Sequence, residues 1–277
     1  MNGFYWLASY LKSGNTWLRL FLESLAVGGN TVNINALSVS RGHAALRSEF
    51  DRILDIESAD LTDDEITLAR PRQYEIEAGT AKSPMLRKAH DAWGLTPAGE
   101  PLFPPGLTLA AVYLVRDPRD VAVSLSYHLN QTLDQAIARM GNAKAEMEMT
   151  RTRIPQQLPQ RLLSWSGHVE SWLAAPISLL TLKYEDMQAD PVARLGEAAC
   201  FLGFDAGQDA VEAAVSTVSF ERLRIAEETH GFAERPPGMT RFFRRGVSGC
   251  WQDSLTSAQI ARIESDHGAV MRKLGYL

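Results

Sequence analysis

The chain has 277 residues, a formal net charge of −5, 45% apolar residues and 22% charged ones. That length and apolar content suffice for a substantial core in one domain over 1–277, and the acidic balance argues against general nucleic-acid binding. No apolar stretch reaches the ~18 residues of a membrane span and no charged leader precedes a cleavage site, so we expect a cytoplasmic protein with no membrane span.

Residues 4–9 form the first strand candidate, an apolar and aromatic run, and Trp17, Leu20, Phe21 and Leu25 recur at helical spacing from Thr16 onward. Between them lies Ser9-Tyr-Leu-Lys-Ser-Gly-Asn-Thr-Trp17. A tight strand-to-helix turn aims backbone N–H groups and the positive end of a helix dipole at one point, which suits a phosphate. Lys12 and Thr16 would add charge and a hydroxyl. Against the nucleotide pattern G-x-x-x-x-G-K-[ST], this window keeps Gly14 and Thr16, has Ser9 in place of the first glycine, and moves the lysine forward to Lys12. That displacement points away from kinases and ATPases.

Residues 28–84 carry few strong signals apart from Thr62-x-x-Glu65, which reads as a capping box. Further strands are expected at 85–89, 108–115 and 177–183, each followed by a helical pattern, so the predicted class is α/β with a parallel sheet flanked by helices. Pro118 suits a first helical turn, Asp190-Pro191 reads as a cap with proline after it, and Thr256-x-x-Gln259 opens a last helix to about residue 274. Residues 130–160 are polar and hold Met140, Met147 and Met149, while Trp165 and Trp172, seven apart, are expected to face the core. Ligands on such sheets bind at the carboxyl ends of strands, where Lys12, His90 and Arg116 would converge.

Several segments together resemble the sulfotransferases that use 3′-phosphoadenosine-5′-phosphosulfate (PAPS), the cytosolic type and its bacterial relatives, over most of the chain. The first loop of that family is close to YPKSGTTW. Tyr10, Lys12, Ser13, Gly14, Thr16 and Trp17 match it, with Leu11 for the proline and Asn15 for the first threonine. The resemblance implies a P-loop-like three-layer fold and a loop that grips the 5′-phosphosulfate, Lys12 donating to the leaving oxygen. Arg116-Asp-Pro-Arg-Asp-Val-Ala-Val-Ser124 resembles the motif whose arginine and serine hold the 3′-phosphate, here Arg116 and Ser124, with Asp117 where asparagine is common. Guanidinium forks suit that task. Phe242 to Trp251 is similar to FMRKGxxGDWK. Arg244, Arg245 and Gly246 match, and Cys250 and Gln252 replace its aspartate and lysine. Near the base, the family has a tyrosine and a Thr-Ser-Phe-like stretch, matched by Tyr184 and by Ser219 and Phe220.

Sulfuryl transfer needs positioning, leaving-group stabilisation and a base. Leu86-Arg-Lys-Ala-His90 resembles the KTH segment of relatives, with Ala89 in place of threonine, and implies His90 as the base with Lys88 nearby. The other histidines, His43, His128, His168, His230 and His267, are expected to be structural or exposed. Cys200 and Cys250 form neither CxxC nor a His/Cys cluster, so no metal or disulfide is expected, and Cys200 is expected in the core. By resemblance, residues 28–84 and 130–160 shape the pocket and lid for a small-molecule hydroxyl acceptor, and the product is adenosine 3′,5′-bisphosphate. The dimer motif KxxxTVxxxE of animal relatives is mostly absent at residues 252–261, leaving a homodimer possible but unsupported. A P-loop-type kinase and a non-catalytic binder of PAPS or its product remain the alternatives.

Overall fold

The computed structural model describes residues 2–40, 42–147, 154–236 and 238–277. The chain opens with β1 (Phe4–Ser9), α1 (Asn15–Ala26), α2 (Arg47–Leu54), α3 (Asp63–Thr80), β2 (Met85–Ala89) and β3 (Thr108–Val115). It continues through α4 (Pro118–Leu129), α5 (Leu133–Gly141), β4 (Glu146–Met147), β5 (Gln160–Arg161) and α6 (Trp165–Leu173). β6 (Leu179–Lys183), α7 (Tyr184–Ala189), α8 (Pro191–Phe201), α9 (Gln208–Thr217), α10 (Phe220–His230) and α11 (Ser257–Leu274) complete it.

The main sheet has the order β2-β1-β3-β6, and every pairing in it is parallel. All four strands lie where the sequence put them, β6 starting at Leu179 rather than 177. Side chains alternate across a strand, so β1 and β3 feed two cores at once. Phe4, Trp6 and Ala8, with Ala111, Tyr113 and Val115, join Tyr74, Phe103, Trp165 and Trp172 on one face. Leu7, Val112 and Leu114 meet Leu18, Phe21, Leu195 and Ala214 on the other. The outcome is the expected three-layer α/β arrangement, with Trp165 and Trp172 fully buried.

Helix starts follow local chemistry. Thr62 and Glu65 make both arms of a capping box at α3, Thr256 and Gln259 do the same at α11, and Asp190 accepts from the Ala193 amide ahead of α8. A third box, Thr132 with Gln135, starts α5 inside the segment that gave few sequence signals. Cys200 is exposed rather than in the core: α8 turns Leu195, Ala198 and Ala199 inward and leaves the next position facing solvent. Met140 is buried in the core, Met147 reaches the cavity described below, and Met149 lies outside the described residues.

Candidate functional site

Parallel strands deliver their carboxyl ends to one edge, and the residues that follow β1, β2, β3 and β6 carry the chemistry. Ser9 pairs with Leu114, Ala8 with Ala89, and Val115 with Lys183. His90, Arg116 and Tyr184 are each the first residue past a strand end, and Lys12 is the third past β1. They open onto a cavity of about 1420 Å³.

The first loop is set by two left-handed residues, Lys12 at φ 66° and Gly14 at φ 100°. For lysine that conformation costs on the order of 1 kcal/mol, a strain typical of functional loops. At Gly14 a Cβ would also lie 2.8 Å from the Tyr184 ring, so the loop packs backbone against an aromatic face. Gly14 is the N-cap of α1 and has no side chain to satisfy the first-turn amides, which leaves that helix end suited to an anion. Thr16 and Trp17 line the cavity. The Trp17 ring lies edge-on to Tyr184 at 6.1 Å, its indole nitrogen without a partner among the described residues. Ser13 is buried behind the loop. Asn15 departs from a simple contact role: its amide donates to the Leu7 carbonyl at 2.7 Å and the Ser9 hydroxyl at 3.3 Å, binding the loop to β1. The Lys12 ammonium stands over the Phe242 ring at 4.1 Å. Burial, then the nearby Lys88, Arg116 and Arg244, lower its pKa to about 7.

Lys88 lies on β2 and His90 just past its end, and both line the cavity. His90 is buried, and its Nδ1–H donates to the Ser9 carbonyl at 2.8 Å, leaving Nε2 as the lone-pair nitrogen. Burial, followed by Lys88, holds its pKa well below 6.5, so the ring is neutral at pH 7. Its backbone is pinned from two sides: His168 Nε2–H donates to the His90 carbonyl at 3.0 Å, and Asp91 takes a two-point bond from fully buried Arg70 at 2.8 and 2.7 Å.

Arg116 ties three segments together. Its guanidinium stacks on Tyr184 at 4.2 Å and donates to the Val247 carbonyl at 2.9 Å and the Lys12 carbonyl at 3.4 Å, while Nε has no partner among the described residues. Along α4, Asp120, Ser124, Tyr127 and His128 share one face at helical spacing. Ser124, Tyr127 and His128 line the cavity, and Arg244 stacks on Tyr127 at 3.8 Å. Arg245 sits exposed at the rim. Gly246 has φ 63°, and a Cβ there would lie 2.0 Å from the Phe220 ring. Ser219 is the N-cap of α10, and both it and Phe220 line the cavity beside Gly246.

Asp120, which sequence reasoning passed over, fastens this C-terminal segment. It is buried and accepts from the Gly249 amide at 2.7 Å, the Trp251 amide at 3.1 Å and the Cys250 thiol at 3.1 Å. Cys250 is thereby held by a polar tie to α4. Asp117 caps α4 through the Arg119 amide at 2.9 Å.

Two histidines expected to be structural or exposed instead line the cavity, His43 and His128. His168 and His267 are buried in packing and His230 is exposed, as expected. The 28–84 segment reaches the cavity because Ala44 donates to the Lys88 carbonyl at 2.8 Å, and 130–160 contributes Asn130, Met147 and residues 154–157. Glu234 was also missed. Its carboxylate bonds Arg19 at 2.6 Å and Lys88 at 3.2 Å, and those cations hold its pKa at about 2 against the opposing effect of burial.

The family model for the sulfotransferase domain matches residues 4–275. The chain is 26% identical to cytosolic sulfotransferase 17 of Arabidopsis thaliana over 99% of its own length and 75% of that protein. It is 24% identical to sulfotransferase 1A1 of Canis lupus familiaris, over 97% of its own length and 83% of that protein. Among solved structures it is similar in fold to mouse sulfotransferase SULT7A1 complexed with PAP, with a TM-score of 0.63, 19% identity, and coverage of 98% of this chain and 85% of that one. A retinol dehydratase in complex with androsterone and PAP gives a TM-score of 0.62 at 19% identity, over 97% of this chain and 80% of that one.

Proposed function

The chain belongs to the sulfotransferase domain family, and on that premise we propose that it transfers a sulfuryl group from PAPS to a hydroxyl of a small organic acceptor, with His90 as general base. The observation that carries this reading is a neutral, buried histidine with its Nε2 lone pair free, held at a strand end beside Lys88 in a cavity that Lys12 also lines. Two solved structures of similar fold, mouse sulfotransferase SULT7A1 and a retinol dehydratase, hold PAP, which supports the choice of nucleotide.

The residues fit such a ligand. Arg116 Nε and Trp17 Nε1, without partners among the described residues, glycines that bring backbone against aromatic rings, and an uncapped helix start all offer contacts to a nucleotide carrying two phosphate groups. Ser13, Gly14, Thr16 and Trp17 would hold the 5′ side, with the Asn15 side chain bracing the loop against β1 and only its backbone facing the ligand. Arg116, Ser124, Arg244, Arg245 and Gly246 would hold the 3′-phosphate, and Tyr184, Ser219 and Phe220 the base. When bound, PAPS supplies an activated SO₃ group. His90 Nε2 takes the acceptor proton, Ser9 and His168 keep the ring and its peptide in place, and Lys12 offers its ammonium to charge growing on the leaving phosphate. Lys88 holds the acceptor side of the same face.

Calorimetric titration with adenosine 3′,5′-bisphosphate against ATP with and without Mg²⁺ tests the nucleotide. Metal-independent binding of the bisphosphate, lost in Arg116→Ala, is expected; preference for ATP with Mg²⁺ would point to a kinase instead. In His90→Asn, binding should survive while PAPS-dependent turnover falls by roughly 10²–10⁴. Unchanged turnover would refute the base.

A further inference from the structure

We propose that His43 is a second catalytic histidine, donating from Nε2–H to the acceptor oxygen while His90 removes its proton. The assignment rests on the sulfuryl-transfer reading above. The geometry comes from the backbone upward. His43 forms a parallel bridge with Lys88, and the next residue, Ala44, donates to the Lys88 carbonyl at 2.8 Å, so this loop is an extension of the sheet beside β2. The two imidazoles lie 5.5 Å apart between centroids, at 57°.

Their tautomers are opposite. His90 Nδ1–H donates to the Ser9 carbonyl, leaving Nε2 without a proton. His43 Nδ1 accepts from the Ala45 amide at 3.0 Å, which places the proton of the neutral ring on Nε2. That Nε2–H is buried and has no partner among the described residues, and the His43 side chain belongs to the wall of the cavity. A buried donor left unpaired costs about 1–3 kcal/mol, so its persistence calls for a ligand group to receive it. An acceptor hydroxyl meets both nitrogens: its O–H donates to His90 and an oxygen lone pair receives the His43 proton in a hydrogen bond.

One helix positions both rings. Arg70 of α3 holds Asp91, next to His90, and Tyr74, one turn on, donates to the carbonyl of Ala44, next to His43, at 3.1 Å. Arg70 also donates to the Tyr74 hydroxyl at 3.0 Å, so the two anchors are linked. In the step itself the acceptor proton passes to His90 Nε2, the freed oxygen pair forms the new S–O bond, and the S–O bond to the 5′-phosphate breaks with its pair going to that phosphate. His43 transfers no proton; its donated bond stabilises charge on the acceptor oxygen as the proton leaves.

The test compares wild type, His43→Phe, His43→Gln and His90→Asn, using para-nitrophenol as acceptor and adenosine 3′,5′-bisphosphate as the nucleotide probe. In His43→Phe, nucleotide affinity should stay at the wild-type value, and the thermal midpoint should fall modestly because the Ala45 amide loses its acceptor. The phenolate absorption of para-nitrophenol bound beside the nucleotide should weaken, and turnover should drop by about tenfold or more, the loss growing for less acidic phenols. His43→Gln, which keeps an N–H donor, should restore most of both. Wild-type turnover lost in His90→Asn but intact in His43→Phe, with the phenolate band unchanged, would overturn the His43 assignment alone. A wild-type protein that neither binds the bisphosphate nor turns over PAPS would overturn the sulfuryl-transfer reading, and this assignment with it.

Discussion

Asp120→Asn changes one atom and tests whether the C-terminal segment is held to the nucleotide site by a buried carboxylate. In the native protein Oδ1 accepts from the Trp251 amide and the Cys250 thiol, and Oδ2 accepts from the Gly249 amide with Arg116 3.8 Å away. Asparagine can keep only one accepting oxygen. The less costly orientation preserves the Trp251 and Cys250 bonds and sets an NH₂ against the Gly249 N–H and the Arg116 guanidinium, donor against donor. A hydrogen bond to a charged acceptor is worth ~1.5–3 kcal/mol, and a buried donor left unmatched adds a similar penalty, so a total near ~3 kcal/mol is expected. That cost divides between fold and ligand binding: all on the fold, it lowers the thermal midpoint by roughly 2 °C or more per kcal/mol; all on the loop, it weakens the bisphosphate by on the order of 100-fold. Thermal unfolding and calorimetric titration on the same preparation measure both parts. If affinity stays within about threefold and the midpoint moves by less than about 1 °C, the tie carries no such energy and the argument fails.

Lys12 makes a prediction about protons. Its pKa of about 7 in the ligand-free cavity means that it is mostly neutral at about pH 8, and a bound phosphate anion favours its charged form. Binding of adenosine 3′,5′-bisphosphate at that pH should therefore take up close to one proton, read from the buffer dependence of the binding heat, and Lys12→Met should abolish the uptake; a buffer-independent heat in wild type would contradict it. Gly246→Ala meets both a left-handed backbone and the Phe220 ring at 2.0 Å, so bisphosphate affinity should fall by about tenfold or more, and an unaltered affinity would show that Phe220 does not form part of the site. His168 and His267 are buried with pKa values lowered to about 4, largely by burial. The unfolded chain then binds more protons than the folded one between about pH 6.5 and 4. Their contribution to stability should be level above that window and fall by a few kcal/mol, in order of magnitude, on descending to about pH 5. Equal urea midpoints at about pH 7 and 5 would refute this.

The parts of the site that could be read in the sequence are those where local order and spatial order coincide. A strand, its turn and the next helix are contiguous, so Lys12 to Trp17 and Arg116 to Ser124 stand out, and β2 carries Lys88, with His90 just past its end, to the same edge. Distance along the chain hid the rest. Asp120 acts on a loop 129 to 131 residues away, and Glu234 reaches Lys88 across 146. His43 is brought in by a bridge to Lys88 that no periodicity announces. Asn15 stands in a run that matches a phosphate loop, yet its side-chain amide is spent on Leu7 and Ser9. Cys200 shows the opposite limit: an apolar helical run does not say which residue of it faces outward.

Charge is what these distant residues share. A chain of net charge −5 gathers Lys12, Lys88, Arg19, Arg116, Arg244 and Arg245 around one cavity, so its acidic surplus must lie elsewhere. Like charges this close destabilise one another, and the protein offsets them by three different means. Arg116 is given two backbone carbonyls and an aromatic face, which attract it weakly and leave Nε unused. Arg19 and Lys88 are given the Glu234 carboxylate. Lys12 receives only a ring face and sheds its proton near neutral pH. None of these partners matches a phosphate in charge or in the number of its accepting oxygens, so an anion that replaces them gains more than it displaces. On the proposed reading, selectivity for a doubly phosphorylated nucleotide would lie in how incompletely the protein satisfies its own cations, with Lys12 placed at the turn where the leaving group would gather charge.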